Sequence, residues 1–481
     1  MSSVRKNFTY NIVYQILILI LPLITAPYIS RVIGAEGNGI YSYTYSVVQY
    51  FVLFAMLGLN NYGNRTIAKC KDNKEELSKE FSSIYVMQLI TTTAMTILYI
   101  GYILFFDSKY ITVAMLQIIY LVSTCFDINW FFFGLEKFKL TVTRNTIIKI
   151  LATFSVFAFV KSKNDLVIYI IIMVLSALIS QLALWPFLRK EVKFVKPKIK
   201  DVTKHIKPNA VLFIPVIAVS IYKIMDKIIL GNMATIENVA YFEYAERIIN
   251  IPISIITALG TVMLPRISNL MAKGEDEKVK FYIDKSIQIM LFISIAMCIG
   301  LIVIAPEFVP IFLGNEFIKS GNIVQLLAIT IVFISWANVI RTQYLIPKER
   351  DKEYIISVAL GAVVNLIINI VLIPRYQAIG SAIATICAEF VVMVYQILAV
   401  RNEIGIKKYL KYIIRFILSG IIMYFCITWI KMIINNEYIL IFVQVLLGTL
   451  VYVALNYKFI GENIQYIPIL SKLKKENAKW K

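Results

Sequence analysis

The sequence predicts an all-α integral membrane protein with about fourteen transmembrane helices. Of its 481 residues, 59% are hydrophobic and only 16% are charged, and the mean hydropathy is +0.75. Soluble chains average about half apolar and a quarter charged. A bilayer core about 30 Å thick needs about 20 helical residues to cross it, and apolar runs of that length recur along this chain. These observations exclude a soluble globular domain.

The apolar runs place the predicted spans in order along the chain. They cover residues 10–30, 40–59, 81–106, 111–133, 141–161, 166–188, 207–232, 246–265, 286–305, 320–341, 354–373, 378–400, 411–431 and 437–457. The longest connections, 60–80 and 189–207, are too short to fold as soluble domains. We therefore expect the helices themselves to perform the function.

Basic residues are distributed unevenly between the two sides of this bundle. With a cytoplasmic N-terminus, the inward connections and tails carry 38 of the 49 Lys and Arg residues, and the outward connections carry 8. Basic connections stay on the cytoplasmic side, so both termini are predicted to be cytoplasmic. The net charge of +20 then follows from topology, and we expect no nucleic acid partner.

A faint internal repeat divides the chain into two lobes. Segments 22–46 and 215–245 share a proline, a basic residue before an apolar pair, a glycine, a turn and an aromatic-rich start of the next helix. Repeats are the usual construction of secondary transporters, and chance similarity between two membrane hairpins is the alternative. The predicted parts are two lobes of six spans each, at 1–190 and 207–403, joined by a basic cytoplasmic linker at 191–206. Two additional spans follow at 404–460, and a basic cytoplasmic tail at 461–481.

Three charges lie within the seventh predicted span. Lys223, Asp226 and Lys227 share one helical face, and an ionisable group in a membrane normally faces a bundle interior or a water-filled cavity. Counted from Lys207, Lys223 lies about 24 Å and Lys227 about 30 Å up the helix, in the outer half of the bilayer. Either this face lines a cavity that attracts anions, or its lysines reach the outer headgroups with Asp226 as a local partner.

Three further ionisable residues lie within predicted spans. Asp127 and Lys149 lie at similar depth on consecutive helices, which favours a cross-helix ion pair or an inner gate. Glu389 is the most central acid and shares a face with Thr385 and Gln396. It is a candidate for ion or proton coupling, and a buried neutral glutamic acid bonded to a backbone carbonyl is the alternative.

Aromatic and amide side chains cluster at the start of the second span. Tyr41, Tyr45 and Gln49 share one helical face. Tyrosine near the end of a span is usually an interface anchor. The same side chains are also able to stack on sugar rings and donate hydrogen bonds, so they are candidates for a sugar-binding cavity.

Several catalytic classes lack their sequence motifs. There is no GxxxxGK[ST] loop, which removes ATP hydrolysis as an internal energy source. The chain has one histidine, His205, expected to be solvated in the basic connection and insufficient for a metal site or a catalytic triad. The five cysteines show no CxxC pair and no metal spacing. We expect a transporter rather than an enzyme, with no metal and no catalytic residue.

Two segments carry a family resemblance. The first is LPLITAPYISRVIGAEGNGIYSYTYSVVQYFVLFAMLGLNNYGNRTIAK at 21–69, and the second is MDKIILGNMATIENVAYFEYAERIINIP at 225–252. They resemble the bacterial polysaccharide flippases, the Wzx-type exporters of O-antigen and capsule repeat units. The resemblance implies the multidrug/oligosaccharidyl-lipid/polysaccharide superfamily, with two six-helix lobes around a central cavity, two C-terminal helices and alternating access.

The resemblance also implies a cargo. This would be an undecaprenyl-diphosphate-linked oligosaccharide, moved from the inner to the outer leaflet of the bacterial plasma membrane for surface polysaccharide assembly. Arg31, Lys223 and Lys227 match basic positions of the two segments and Asp226 matches an acid, and cations suit a diphosphate. We expect no cofactor, with H+ or Na+ as a candidate coupling ion. The expected partners are the lipid-linked oligosaccharide, membrane lipids, and the polymerase and glycosyltransferases of the same pathway.

Three alternative functions stay open. A drug or metabolite antiporter of the MATE type, from the same superfamily, would need a cavity rich in acids and neutral aromatics to take cations. A lipid II flippase is closer in substrate. A membrane glycan polymerase or ligase would need a large outer loop, which the predicted topology lacks.

Overall fold

The structure is a computed structural model that describes residues 2–106 and 109–463. Side chains are described outside the following positions: 2–20, 106, 214–215, 218–219, 221–223 and 406. The described part is 88% helical and contains no β-strand. The chain folds as two compact units, unit 1 (Met1–Ala240) and unit 2 (Tyr241–Lys481).

Unit 1 is built around its first helix, which packs against α3, α4, α6 and α10. Its helices are α1 (Ser2–Met56), α2 (Leu59–Cys70), α3 (Lys74–Phe106), α4 (Ile111–Ser123), α5 (Asn129–Gly134), α6 (Phe138–Phe159), α7 (Leu166–Leu182), α8 (Trp185–Leu188), α9 (Ile199–Thr203) and α10 (Ile206–Met233). Helix α4 packs on α7, and α6 packs on both α1 and α7. Both α1 and α7 therefore pack against each of α4 and α6.

Unit 2 has α12 and α13 as its most closely packed pair, with α15 on α12 and α16 on α15. Its helices are α11 (Ile236–Ala272, which begins in unit 1), α12 (Asp276–Leu313), α13 (Ile318–Ile340), α14 (Asp351–Val400), α15 (Leu410–Ile430), α16 (Glu437–Leu455) and α17 (Tyr457–Asn463). Helix α13 continues into a π-helical turn at Arg341–Leu345.

Within the described residues, eleven helical segments are long and apolar enough to cross a membrane. Two of them cover more than one predicted span: Asp351–Val400 contains the eleventh and twelfth, and Leu21–Cys70 contains the end of the first and all of the second. The helix continues through a kink at Gly34 (φ 75°) in Leu21–Cys70 and at Gln377 (φ 50°) in Asp351–Val400. The seventh predicted span coincides with α10. The prediction of a multi-pass, all-helical membrane protein is confirmed.

Large apolar side chains cover the outer faces of many of these helices. Examples that are at least half exposed are Ile97, Phe105, Phe154, Phe425 and Phe442. Contiguous apolar surface of this kind would be unstable in water and marks a membrane-facing surface. These residues therefore suit contact with lipid tails.

The turn that precedes α5 is fixed by a buried aromatic cluster. Trp130, Phe131 and Phe132 have no exposed surface. The indole Nε1 of Trp130 donates to Oε1 of Gln88 on α3 at 3.0 Å. Because α5 is held in this way, the extended residue before it, Asp127, is held at a defined place between α4 and α6.

Candidate functional site

Unit 1 contains a polar cavity of about 170 Å³ between four membrane helices. Each helix contributes polar side chains three or four residues apart, which places them on one face of that helix. We call this site the polar cavity; its polar lining residues are Tyr41, Tyr45, Gln117, Tyr120, Asn145, Lys149, Ser176 and Ser180. Four helices that are otherwise apolar thus present polar faces to one point.

Tyrosine rings form one side of the polar cavity. The rings of Tyr41 and Tyr45 are stacked, with centroids 5.5 Å apart and an angle of 18° between their planes. The hydroxyl of Tyr45 donates to that of Tyr120 at 3.2 Å, and Nε2 of Gln49 donates to the same oxygen at 2.9 Å. The structure therefore brings the three predicted sugar-binding candidates of α1 together and joins two of them to a tyrosine of α4.

Gln117 is the one lining residue whose hydrogen bonding is incomplete at both ends of its side chain. It has no exposed surface, and among the described residues neither Nε2 nor Oε1 has a hydrogen-bond partner. Burying an amide without partners costs free energy, so native proteins pair such groups with protein, water or a ligand. Gln117 is therefore the lining residue whose unpaired amide an occupant of the cavity would satisfy, and because its amide atoms are fully buried, its side chain must turn toward the cavity to do so.

A buried arginine lies beneath the polar cavity. Nη2 of Arg144 donates to Oδ1 of Asn129 at 2.8 Å and to Oδ1 of Asn145 at 2.6 Å. Nη1 donates to the backbone oxygen of Ser180. Ser180 Oγ also donates to Oδ1 of Asn145 at 3.1 Å. The guanidinium thereby ties α6 to α7 and to the start of α5.

Asp127 belongs to this arginine network. Its Oδ1 accepts from the backbone N of Asn129 at 2.9 Å and from Nδ2 of the same residue at 2.7 Å. The cation linked to Asp127 through Asn129 is Arg144, whereas Lys149 lies further along α6 and lines the polar cavity. The predicted gate or ion-pair role of Asp127 with Lys149 thus stays a prediction, and the contacts described for Asp127 run to other residues.

Sequence reasoning missed Arg144, Gln117 and Tyr120. Arg144 lies within the predicted span 141–161 and is 8% exposed. The sequence does contain a signal for Gln117 and Tyr120. They are polar side chains three residues apart in the apolar run of α4, so they share one face of that helix.

Helix α10, which carries the three predicted charges, packs against α1 within unit 1. Asp226 is 3% exposed and Lys227 is half-buried, while the side chain of Lys223 lies outside the described residues. Arg31 is exposed, and its Nη1 donates to the backbone oxygen of Pro27 at 3.1 Å. The predicted role of Arg31 and of the α10 charges toward a diphosphate stays a prediction.

The two segments that carry the family resemblance contact one another. A Cβ added to Gly231 would lie 2.1 Å from Cδ2 of Tyr43, and one added to Gly39 would lie 2.1 Å from the backbone oxygen of Ile236. The hydroxyl of Tyr43 donates to Oδ1 of Asn232 at 3.2 Å. Glycines at these two positions allow close approach of the backbones, so both segments build a single packing interface.

In unit 2, Glu389 is buried on α14, as predicted, with 8% of its surface exposed. Gln396, on the same predicted face, donates from Nε2 to Oγ of Ser357 at 3.0 Å. Oγ1 of Thr385 donates to the backbone oxygen of Ser381 at 3.0 Å. Glu389 thus lies in a polar stripe of a membrane helix, and its coupling role stays a prediction.

Unit 2 also contains an apolar cavity of about 450 Å³ between α11, α12, α15 and α16. Its lining is almost entirely aliphatic and aromatic; representative residues are Ile251, Ile255, Phe292, Met297, Leu301 and Met423. Two polar lining residues bond to backbone instead: Tyr452 donates to the oxygen of Phe292 at 3.0 Å, and Gln444 Nε2 to that of Ile427 at 3.2 Å. The apolar cavity therefore suits hydrocarbon.

His205 is buried, so the expectation of a solvated histidine is wrong. It is 1% exposed; its Nδ1 lies 2.6 Å from the hydroxyl of Tyr62, and its Nε2 lies 3.5 Å from Oε2 of Glu80. Burial lowers the pKa of His205 to about 4, although the Glu80 carboxylate acts in the opposite direction. The ring is neutral at physiological pH and serves as an anchor at the start of α10.

Comparison with known proteins gives consistent matches. The model of a family described as polysaccharide biosynthesis protein matches residues 4–271, more than half of the chain, and the MatE family model matches residues 211–371. The chain is 26% identical over 411 residues to a putative O-antigen transporter of Escherichia coli (strain K12), covering 83% of this chain and 97% of that protein. A putative O-antigen transporter of Shigella dysenteriae is 25% identical over 387 residues, covering 79% of this chain and 96% of that protein.

A solved structure has the same fold. It is the lipid II flippase MurJ in an inward closed conformation, which superposes with a TM-score of 0.77 at 19% sequence identity. The superposition covers 94% of this chain and 99% of that one. At this identity the match establishes the fold and leaves the substrate to be argued from the residues of this chain.

Proposed function

Because the chain belongs to the polysaccharide biosynthesis protein family, we propose that it is a flippase for lipid-linked oligosaccharides. The proposed cargo is an undecaprenyl-diphosphate-linked repeat unit, moved by alternating access from the cytoplasmic to the outer leaflet of a bacterial plasma membrane. Both termini lie in the cytoplasm in this proposal. Glycosyltransferases supply the cargo and a polymerase consumes it, so the protein itself performs no chemical step.

The observation that carries this proposal is the polar cavity within the membrane helices of unit 1. Stacked tyrosines, amides, hydroxyls and Lys149 converge there. Sugars expose many hydroxyl groups, which need such partners when they leave water. A polar cavity inside lipid-facing helices supplies those partners at the depth where the bilayer offers none.

The apolar cavity of unit 2 supports the lipid part of the cargo. A polyprenyl tail is hydrocarbon, and the lining of this cavity is mostly aliphatic and aromatic. An amphiphilic substrate is matched by one polar and one apolar cavity in the same chain.

The diphosphate and the coupling ion are assigned by charge. Lys223, Lys227 and Arg31 are the proposed partners of the diphosphate, since lysine and arginine form charge-assisted hydrogen bonds with phosphate oxygens. Glu389 is the proposed coupling site for H+ or Na+, because an acid buried in a membrane helix changes its ionisation with the occupancy of its surroundings.

The charge of the polar cavity argues against a drug antiporter that takes cations. Among the described residues that line it, Lys149 is a cation and no carboxylate is present. An organic cation in this space would be repelled by Lys149. Lipid II carries the same diphosphate and polyprenyl tail as the proposed cargo. The charge of the cavity therefore does not separate the two substrates, and an experiment must distinguish them.

The proposal is tested in a bacterium that carries this gene, by deleting it and measuring surface glycan and lipid-linked repeat units. Deletion should abolish the surface polysaccharide and cause lipid-linked repeat units to accumulate in the inner leaflet, and re-expression should reverse both effects. Unchanged surface glycan would refute the proposal. Loss of viability with accumulated lipid II would identify a lipid II flippase instead.

A further inference from the structure

We infer that the polar cavity of unit 1 is a subsite for one neutral sugar ring, and that Gln117 recognises two adjacent hydroxyl groups of that ring. The inference rests on the proposed function and narrows it, because it assigns a place and a recognition residue to one sugar of the cargo. It uses only residues of α1, α4, α6 and α7, all within unit 1.

The chemistry of Gln117 selects the ligand class. Its amide has an acceptor oxygen and an NH2 donor, and neither has a partner among the described residues although the side chain is completely buried. A ligand that satisfies both ends must donate to Oε1 and accept from Nε2. Two adjacent ring hydroxyls do this, since one O–H donates while the neighbouring oxygen accepts.

Charged ligands satisfy Gln117 less well. A carboxylate or a fully ionised phosphate only accepts hydrogen bonds and leaves Oε1 unpaired, whereas an ammonium group only donates and leaves Nε2 unpaired. An apolar ligand leaves both ends unpaired. A hydroxyl-rich neutral ring is therefore the ligand class that removes the whole burial cost at this position.

The other lining residues complete a site for a sugar ring. Tyr41 and Tyr45 offer stacked aromatic surface to the C–H face of a ring. The Tyr120 oxygen already accepts from both Tyr45 and Gln49, so its own O–H is directed elsewhere as a donor. Lys149 adds a further donor. Hydrogen-bond donors and aromatic surface thus surround the proposed position of the sugar ring.

The size of the cavity limits the occupant to one ring. Its volume of about 170 Å³ lies below the range of about 300 to 1,000 Å³ that is typical of pockets for drug-sized ligands. A volume of this size suits a single ring, and the remaining sugars of a repeat unit then lie outside this cavity.

The test uses the full-length protein in lipid nanodiscs and ligand-observed saturation-transfer NMR. The probes are the methyl glycosides of glucose, galactose, mannose, rhamnose, N-acetylglucosamine and glucuronic acid. At least one neutral glycoside should receive saturation, and its deoxy analogue, lacking one hydroxyl of the adjacent pair, should bind at least about 10-fold more weakly. Gln117→Leu should weaken the intact glycoside to the same degree.

Gln343→Leu is the matched control. Gln343 in unit 2 is also completely buried, and neither of its amide atoms has a hydrogen-bond partner among the described residues, but it does not line the polar cavity. Both variants remove a buried amide and should elute as folded protein in size-exclusion chromatography. Only Gln117→Leu should lose glycoside binding.

Three results would overturn the subsite. They are an absence of saturation transfer to every glycoside, equal binding by wild type and Gln117→Leu, and preference for glucuronate or an organic cation over every neutral glycoside. The first would mean that water alone occupies the cavity. A parallel flipping assay separates the two proposals. Flipping without glycoside binding removes the subsite and keeps the flippase, whereas Gln117-dependent binding without flipping keeps the subsite and removes the flippase.

Discussion

Nη2 of Arg144 donates to Oδ1 of Asn129 at 2.8 Å, and Nδ2 of Asn129 donates to Asp127 at 2.7 Å. A neutral amide therefore links a buried cation to a carboxylate between α4, α5 and α6. Removing one member of a buried charged network leaves the others without compensation. We regard this link as the structural support of the polar cavity, because Arg144 also holds Asn145, which lines it.

Replacing Asn129 with Leu should lower stability by about 1–3 kcal/mol, because the buried Arg144 and the partly buried Asp127 each lose a hydrogen-bond partner. The measurement is the melting temperature of the purified protein in detergent. Asn61→Leu, at an exposed position of α2, is the control and should change little. Equal melting temperatures for the two variants would show that the link carries no stability.

Gly39→Ala should destabilise the protein, because the added Cβ would lie 2.1 Å from a backbone oxygen that cannot rotate away. Overpacking of this kind typically costs about 1–3 kcal/mol. Gly101→Ala in α3 is the control, since its Cβ would meet nothing within 4 Å. That variant should be neutral or more stable by up to about 1 kcal/mol through helix propensity. If both alanines stabilise, the α1 contact with Ile236 is not close.

The double variant Lys223→Ala, Lys227→Ala should abolish surface glycan while leaving insertion and expression unchanged, because the diphosphate loses its proposed cationic partners. Lys207→Ala, near the exposed start of the same helix, serves as the control and should export normally. The measurement is antibody or lectin staining of whole cells, with membrane protein quantified by immunoblotting. Normal staining of the double variant would exclude this face from the diphosphate path.

Stability should fall as the pH is lowered below about 6.5, the ordinary pKa of histidine. Burial lowers the pKa of folded His205 to about 4. The unfolded chain therefore binds the proton better between pH 6.5 and about 4, and its protonation draws the equilibrium toward unfolding. Melting temperatures at pH 7.5, 6 and 5 should decline more steeply in wild type than in His205→Gln. Parallel declines would remove His205 as a cause.

The spans could be predicted because lipid-facing helices must be apolar for about 20 residues, and such a run can be recognised directly in the sequence. The grouping of Tyr41 and Tyr45 followed for a similar reason, since residues four apart share a face of one helix. Helical periodicity does not reveal which face of one helix meets which face of another. Tyr120 could therefore not be placed against Tyr45 from the sequence.

Depth alone does not identify side-chain partners. Consecutive helices place Asp127 and Lys149 at similar depth, and the described hydrogen bonds of the Asp127 carboxylate run to the start of α5. Arg144 lies near the start of the predicted span 141–161, and its sequence position does not show which side chains it contacts. His205 was expected in water because its neighbours are charged, and only packing against Tyr62 shows that it is buried.

The most direct test of the flippase and its polar cavity is transbilayer movement of a fluorescent undecaprenyl-diphosphate oligosaccharide in liposomes. Purified wild-type protein should expose lipid from the inner leaflet to a membrane-impermeant quencher. Lys149→Met, in the polar cavity, should lose this activity, and Lys139→Met, exposed at the start of the same helix, should retain it. Quenching no greater than in protein-free liposomes, or equal activity of Lys149→Met and wild type, would contradict this account.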